Sequence, residues 1–469
     1  MRRPAGRRVR IIFAAFFMSL TVASFILGSE RLARLMSFQP SMLSIRVATG
    51  FAVSALIAGV AFLLATFLFG RFFCAILCPL GILQDAIIAL RWKRTRPAQT
   101  PNLKALRYAI AALTVVFLVG GWAVLLRYLD PFSRFGGIFG GINGFTEITG
   151  SESHDFLMLP LAGSLLFLTC LAILTLWRKR VYCVAICPVG TVLGLFSKYG
   201  VWQIRIAPSC TACGLCEGVC PTDCIDTSER AVDNERCVRC MNCTSQCTNG
   251  SISLRRAEKH EPVSGEPADP SRRIFLLKAG GLAIGVIGAG QILGTPIRDL
   301  ARTSGSAEGM ILPPGALDAE RFLKSCTSCR MCALNCPTKV IRSSGLFEPV
   351  HLEFDRGACH HDCTLCNAIC PSGALQPLSL EDKQWLKIGE ASCDASKCRA
   401  LKENVACYLC SKVCPKGAIS MTDAPNGLEV PEVAAFHCIG CGACQSVCPM
   451  TPKAIVVTGV RQSVMGSGS

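Results

Sequence analysis

Thirty-one cysteines stand in 469 residues, and their spacing is the first thing in this sequence that could do chemistry. Cys210, Cys213, Cys216 and Cys220-Pro221 follow C-x2-C-x2-C-x3-C-P. So do Cys326, Cys329, Cys332 and Cys336-Pro337, and again Cys438, Cys441, Cys444 and Cys448-Pro449. Cys237, Cys240, Cys243 and Cys247 repeat the run without its proline. In this spacing three thiolates bind one [4Fe–4S] cluster and the fourth reaches a neighbouring one, so runs work in pairs. Zinc sites instead split their ligands into two separated C-x2-C pairs. The chemistry implied is electron transfer.

The elements that must carry these runs fall into two classes. Hydrophobic residues make up 51% of the chain and the mean hydropathy is +0.43, too apolar for a soluble protein of this size. Apolar residues concentrate before position 200 and cysteines after it, so a membrane part precedes the cluster-binding parts. A secreted disulfide framework is excluded, since such domains are short and irregularly spaced. The net charge of +16 is no sign of nucleic acid, because many basic residues flank apolar segments.

Four stretches, roughly Ile11–Gly28, Val47–Gly70, Tyr108–Leu126 and Leu157–Trp177, approach the ~20 apolar residues a membrane crossing needs. Arg2, Arg3, Arg7, Arg8 and Arg10 precede the first. Arg71, Arg91, Lys93, Arg94, Arg96 and Lys104 lie between the second and third, and Arg178-Lys179-Arg180 follows the fourth. The loop from Arg127 to Phe156 holds Asp130, Glu147, Glu152 and Asp155. The positive-inside rule therefore places both ends of the bundle in the cytoplasm, with the first helix uncleaved. The expected fold is an α-helical membrane bundle, four helices plus a fifth tethering helix, with two α+β ferredoxin-like iron–sulfur domains.

The bundle reads as a duplication. Arg71-Phe-Phe-Cys74-Ala-Ile-Leu-Cys78-Pro79-Leu-Gly81 follows its second helix and Arg180-Val-Tyr-Cys183-Val-Ala-Ile-Cys187-Pro188-Val-Gly190 its fourth. Cysteines four apart share a helix face, and the proline ends or bends the turn. Pairing the halves brings Cys74, Cys78, Cys183 and Cys187 together as a further cluster site, a redox site or part of a quinone site. The bland alternative is apolar thiols packed at helix ends. Haem is not expected: there are six histidines, no C-x-x-C-H, and no histidine inside the four helices.

The organisation read from the chain is a membrane domain over 1–203, a two-cluster ferredoxin over 204–258, a linker with an export motif and fifth helix over 259–312, a four-cluster ferredoxin over 313–462, and a tail over 463–469. In the first ferredoxin the sets are Cys210, Cys213, Cys216 with Cys247, and Cys237, Cys240, Cys243 with Cys220, leaving Cys224 as a buried thiol. Ser271-Arg272-Arg273-Ile274-Phe275-Leu276-Leu277-Lys278 is close to the twin-arginine export signature; the other reading is an ordinary membrane helix. Gly281 and Gly285 form a small-xxx-small pair on it. Either reading sends the following domain to the periplasm. There, Cys359, Cys363, Cys366 and Cys370-Pro371, then Cys407, Cys410 and Cys414-Pro415 with Cys393 or Cys398, join the two standard runs. Cys398 is favoured as the ligand. Nested pairing is expected of a polyferredoxin subunit: Cys326, Cys329, Cys332 with Cys448, Cys438, Cys441, Cys444 with Cys336, and the inner sets exchanging Cys370 and Cys414.

Positions 1 to about 258 resemble NapH, a membrane quinol dehydrogenase with four helices, two C-x3-C-P motifs and a cytoplasmic two-cluster ferredoxin. Positions from about 268 resemble NapG and MauM, exported four-cluster ferredoxins. Ser271-Arg272-Arg273-x-Phe275-Leu276, Pro313-Pro314-Gly315-Ala316 and the four cysteine groups carry the second resemblance. Thr248 stands where a proline normally follows, and the fusion itself departs from the family. The resemblance implies oxidation of menaquinol or ubiquinol at the bacterial inner membrane, in anaerobic respiration. Electrons would pass through six [4Fe–4S] clusters to a periplasmic cytochrome c or terminal reductase. Candidates for the quinone site are His154, Asp130 and Glu147 in the outer loop and Gln84 and Asp85 near the inner surface. The rival reading is a polyferredoxin of metalloenzyme maturation or redox sensing, similar to copper-reducing proteins.

Overall fold

The structure, a computed structural model, describes residues 5–27, 29–48, 53–90, 103–119, 122–148, 154–257, 309–343, 348–355 and 357–465. The export motif at Ser271–Lys278, the fifth helix and Gly281 and Gly285 lie outside the described residues. The chain divides into two compact units. One comprises 1–22, 38–138 and 164–300, the other 23–37, 139–163 and 301–469.

In the first unit the duplication is visible in the backbone. The helix Val53–Phe69 is followed by Phe73–Ile76 and then by Pro79–Ala89. The helix His154–Arg178 is followed by a π-helical turn, Tyr182–Ile186, and then by Pro188–Lys198. In both halves the second cysteine, Cys78 or Cys187, is the extended N-cap and the proline occupies the first turn, where its missing N–H costs nothing. The glycine three residues beyond that cysteine has a packing reason. A Cβ on Gly81 would lie 2.4 Å from the Cys74 carbonyl oxygen, and one on Gly190 2.7 Å from that of Cys183. Only glycine lets the new helix cross the cysteine turn so closely.

Among the described residues one helix is long and apolar enough to cross a membrane, over Gly6–Ile26 with mean hydropathy 2.1. Val53–Phe69 and Ala162–Arg178 are apolar but shorter. The third stretch differs from expectation: its helix runs Lys104–Val119, and a second one, Val124–Leu129, starts after Gly120-Gly121. Glycine is a poor helix former by about 1 kcal/mol, so the apolar run divides. The supposed outer loop contains another helix, Pro131–Ile148.

The unit ends in a small α+β module. Trp202–Ile206 pairs antiparallel with Ile252–Arg256, Ile204 opposite Leu254, and these strands bracket the first two cysteine runs. Ile225–Asp226 pairs with Ala231–Val232 between the runs.

The second unit repeats this scheme. Ile341–Arg342 pairs with His351–Leu352, and Ile419–Asp423 with Glu429–Val433. A longer pair, Leu386–Cys393 with Ile455–Met465, brackets the last two cysteine groups and sets Gly389 opposite Gly459. The core packs Phe322, Phe354, Leu375 and Ile455 against cysteines of several runs. With so little sheet and helix to bury, the sites the cysteines surround are part of what fills the core.

Candidate metal centres

The loop around each standard run is built on backbone that side chains other than glycine rarely adopt. The second cysteine is flanked on both sides by left-handed residues. These are Ala212 and Gly214, Arg239 and Met241, Ser328 and Arg330, and Gly440 and Gly442, with φ between 51° and 79°. Left-handed geometry costs roughly 1–2 kcal/mol per non-glycine residue. It turns consecutive N–H groups toward the cysteines, the arrangement that makes an anion-binding concavity. A short helix then starts and carries the third cysteine: Leu215–Gly218, Asn242–Gln246, Met331–Leu334 and Ala443–Val447. In two of these turns glycine, at Gly214 and on both sides of Cys441, is the sequence signal that could have marked them. Arg239, Met241, Ser328 and Arg330 gave no such signal.

Three cysteine-lined cavities report which runs pair. One of about 320 Å³ is bordered by Cys220, Cys237, Cys240 and Cys243, the set expected from sequence, and also by Cys224. The Cys220 and Cys224 sulfurs are 3.5 Å apart, so the thiol thought to be left over faces the same space. A second cavity of about 350 Å³ is bordered by Cys336, Cys359, Cys363 and Cys366. A third of about 350 Å³ is bordered by Cys414, Cys438, Cys441 and Cys444. Nested pairing is therefore corrected. Cys336 sits with the run that follows it, and the last run takes Cys414, because each two successive groups fold as one local unit around a short hairpin. Consistently, Cys370 is an electrostatic neighbour of Cys329 and Cys332. Cys393 neighbours Cys398, Cys410 and Cys448, and both Cys393 and Cys398 remain beside that set.

The cavities suit clusters. Among the described residues no three His, Cys, Asp or Glu side chains converge closely enough for a single metal ion, whereas three spaces are each ringed by four or more sulfurs. Burial pushes the Cys240, Cys329 and Cys444 thiols up to about 12. They are protonated at neutral pH, so iron that binds them must release protons. Lys383, itself buried, donates to the Cys359 sulfur at 3.5 Å and to the carbonyls of His360 and Cys363. A cation there favours the more reduced, more negative state of whatever those cysteines hold.

The four thiols of the duplicated motif, Cys74, Cys78, Cys183 and Cys187, are buried in one core with Leu171, Tyr182, Leu193 and Val238. Cys240, a ligand candidate of the first ferredoxin module, is in the same core. The arginines that open the two motifs cross over. Arg71 donates to the Cys183 carbonyl at 3.1 Å, and Arg180 to the Cys74 carbonyl at 2.9 Å. Each half thus holds the other's cysteine turn.

The quinone-site candidates divide. Gln84 is fully buried and donates to the Cys183 sulfur at 3.4 Å. Asp85 accepts from Arg180 at 2.8 Å and pairs with Arg10 at 2.5 Å. Burial opposes its charge, yet these two guanidinium groups hold its carboxyl below the usual range. Asp130 is fully buried and accepts from the Ser133 N–H at 2.7 Å. Burial raises its pKa against the opposing pull of Ser41, Ser133 and Arg134. Sequence put Asp130 in a loop far from Gln84 and Asp85. The structure instead places its neighbour Leu129 against Tyr182, whose hydroxyl donates to the Leu129 carbonyl at 2.9 Å beside Cys183. His154 opens its helix and Glu147 lies near the end of another. One residue that sequence reasoning missed is Glu235, buried and bonded to Arg107 and Tyr108.

Comparison with known proteins finds iron–sulfur domains along the chain. A family model described as a 4Fe-4S binding domain matches twice, over residues 51–97 and 159–206, once around each C-x3-C-P motif. Models described as 4Fe-4S dicluster domains match 233–340 and 405–451, the latter spanning the pair joined by Cys414. The methylamine utilization ferredoxin-type protein MauM of Methylobacillus flagellatus is 31% identical over 199 residues, 40% of this chain and 83% of that protein. The chain belongs to the MauM family of ferredoxin-type proteins. The putative electron transport protein YccM of Escherichia coli is 26% identical over 51% of this chain and 66% of its own length. An uncharacterized protein of Methanocaldococcus jannaschii is 26% identical over 41% of this chain and 68% of its own. No solved structure matches. This member of the MauM family is an iron–sulfur electron-transfer protein of polyferredoxin type.

Proposed function

We propose that the chain is a membrane-bound quinol dehydrogenase, a NapH-type membrane part joined to a NapG/MauM-type ferredoxin. Electrons leave quinol, pass through six [4Fe–4S] clusters and reach a periplasmic cytochrome c or reductase. Membrane residence is supported by large apolar side chains turned outward on three helices. Ile12, Val53, Ile57, Leu166 and Ile173 are each more than half exposed, and large apolar side chains gathered on the outside of helices suit an apolar phase. The proposed orientation puts the first ferredoxin module in the cytoplasm and the second in the periplasm.

The observation that carries the reading is the placement of Asp130. Oxidation of one quinol releases two electrons and two protons, so its site needs a proton acceptor beside a redox centre. Asp130 is a buried carboxylate one residue from the Tyr182 contact, and Tyr182 adjoins Cys183. Gln84 supplies a polar group on the same thiols. The assignment is that Asp130 takes a quinol proton while the electrons enter the clusters one at a time.

The test is anaerobic mixing of the detergent-purified full chain with a menaquinol analogue, with cluster reduction followed by EPR. Rapid reduction is expected. Asp130→Asn should slow it by about 10²–10⁴-fold, the usual contribution of a positioned base, with iron content unchanged. Clusters that dithionite reduces but quinol does not would sink the assignment and favour a maturation role.

A further inference from the structure

The duplicated motif surrounds its four thiols with more positive charge than neutral thiols can explain. Arg71 is 1% exposed and Arg180 0%. Arg180 has a carboxylate partner, Asp85, which it shares with Arg10. Arg71 has none among the described residues. Its guanidinium donates to the Glu235 carbonyl at 2.9 Å, to the Cys183 carbonyl at 3.1 Å, and lies 3.8 Å from the Cys74 sulfur. Asp85 is thus shared by two guanidinium groups, while Arg71 meets only carbonyl oxygens and a sulfur. An uncompensated buried charge costs several kcal/mol, and carbonyl dipoles repay only part of it. Four neutral thiols packed as small hydrophobes would make Arg71 a pure liability.

The remaining buried atoms next to Arg71 and Arg180 that can carry negative charge are the sulfurs. Both arginines are anchored to the opposite half's cysteine carbonyl, and so are oriented by the same turns that present Cys74 and Cys183. We propose that Cys74, Cys78, Cys183 and Cys187 hold one further iron–sulfur cluster, a seventh centre shared by the two halves, whose negative charge Arg71 and Arg180 balance. The duplicated glycine fits this assignment, since Gly81 and Gly190 let each capping turn close over its own first cysteine. The site lies next to a ferredoxin centre. Arg71 bridges it to the Glu235 backbone, two residues before Cys237. The Arg180 N–H donates to the Pro221 carbonyl at 3.0 Å, and Lys179 to the Cys220 carbonyl at 2.8 Å. The seventh centre therefore adjoins the centre of Cys220, Cys237, Cys240 and Cys243, and electrons can pass between them without leaving the unit. This inference does not depend on quinol being the donor.

The experiment is metal analysis of the full chain, purified anaerobically in detergent, without any substrate. Iron and sulfide corresponding to seven clusters, on the order of 28 atoms of each, are expected. Six clusters' worth, or one zinc per chain beside them, would overturn the proposal whatever the variants do. The double variant Cys78→Ser/Cys187→Ser should lose about one seventh of the iron and one paramagnetic species while the others persist. Arg71→Met should lose the same species and Arg71→Lys should keep it. Full iron in Arg71→Met would refute the charge argument.

Discussion

Removal of Cys336 is the sharpest test of how the second unit is wired. Cys336 borders one cysteine-lined cavity of about 350 Å³, together with Cys359, Cys363 and Cys366. Cys414, not Cys336, completes the cavity of Cys438, Cys441 and Cys444. Cys336→Ala should therefore cost one [4Fe–4S] cluster, about four iron atoms, or leave a three-iron remnant with its own EPR signature. Cys336→Ala/Cys359→Ala should cost no more, because both residues serve the same centre. Cys336→Ala/Cys438→Ala should cost two clusters, about eight iron atoms. This is a double-mutant cycle read in metal, with full non-additivity for one pair and additivity for the other. The assay is iron per chain with EPR of the dithionite-reduced protein, and loss of a single cluster is well above the error of an iron determination. Nested pairing gives the reverse pattern. If Cys336→Ala/Cys438→Ala loses one cluster and Cys336→Ala/Cys359→Ala loses two, the geometric reasoning fails.

Other expectations follow from individual contacts. Gly81→Ala forces a Cβ to 2.4 Å from the Cys74 carbonyl and should destabilise the first unit by about 1–3 kcal/mol or more. Gly218→Ala, with nothing within 4 Å, should leave the thermal midpoint alone; equal effects would count against the packing account. Lys383→Met removes a cation 3.5 Å from the Cys359 sulfur and should lower the midpoint potential of that one cluster in an EPR redox titration, all others holding. Asp85→Asn leaves Arg180 buried without its carboxylate and should cost about 3 kcal/mol. Because Asp85 titrates below its unfolded value of about 3.9, its contribution is present above that pH and lost as pH falls through the folded value. The variant should therefore show a flatter acid limb below about pH 4, and an unchanged limb would contradict the ion-pair reading.

How much of this was legible in the sequence depended on which interactions carry the information. Cysteine identity and spacing are local, so the six cysteine groups and the duplicated motif could be read directly. The second half of a cluster is not local. Spacing says that Cys336 serves a neighbouring cluster without saying which, and only the fold of successive groups around a shared hairpin decides for Cys359. The turn geometry was half visible: glycine advertises a left-handed position, whereas Arg239 and Ser328 adopt it under the constraint of the cysteines on either side. Charge counting assigned Asp130 to an exterior loop because it treated the segment after the third apolar stretch as unstructured. The helices Val124–Leu129 and Pro131–Ile148 instead bury that carboxylate. Arg71 looked like an orientation signal at a helix end, and its burial against Cys183 comes from the other half of the duplication.

The corrected pairing also gives the four cysteine groups of the second unit an order. Cys359 donates its N–H to the Cys441 carbonyl at 2.8 Å, so ligand candidates of two different cavities are joined by one backbone hydrogen bond. The junction admits little slack. A Cβ on Gly442 would fall 2.0 Å from the Phe354 ring, and one on Gly440 2.4 Å from the Gly389 backbone. The centres of Cys336/Cys359 and Cys414/Cys441 are thus the inner two, held at a fixed separation by close-packed backbone. The Cys326 and Cys407 groups, each tied into its own module through Cys370 and Cys448, are the outer two. A nested arrangement would have drawn the first and last runs together in the middle. Lys383 sits on one of the inner centres, donating to the Cys359 sulfur. On the Cys407 side the surface is apolar around the cysteines, with Val405, Tyr408 and Leu409 all at least 40% exposed.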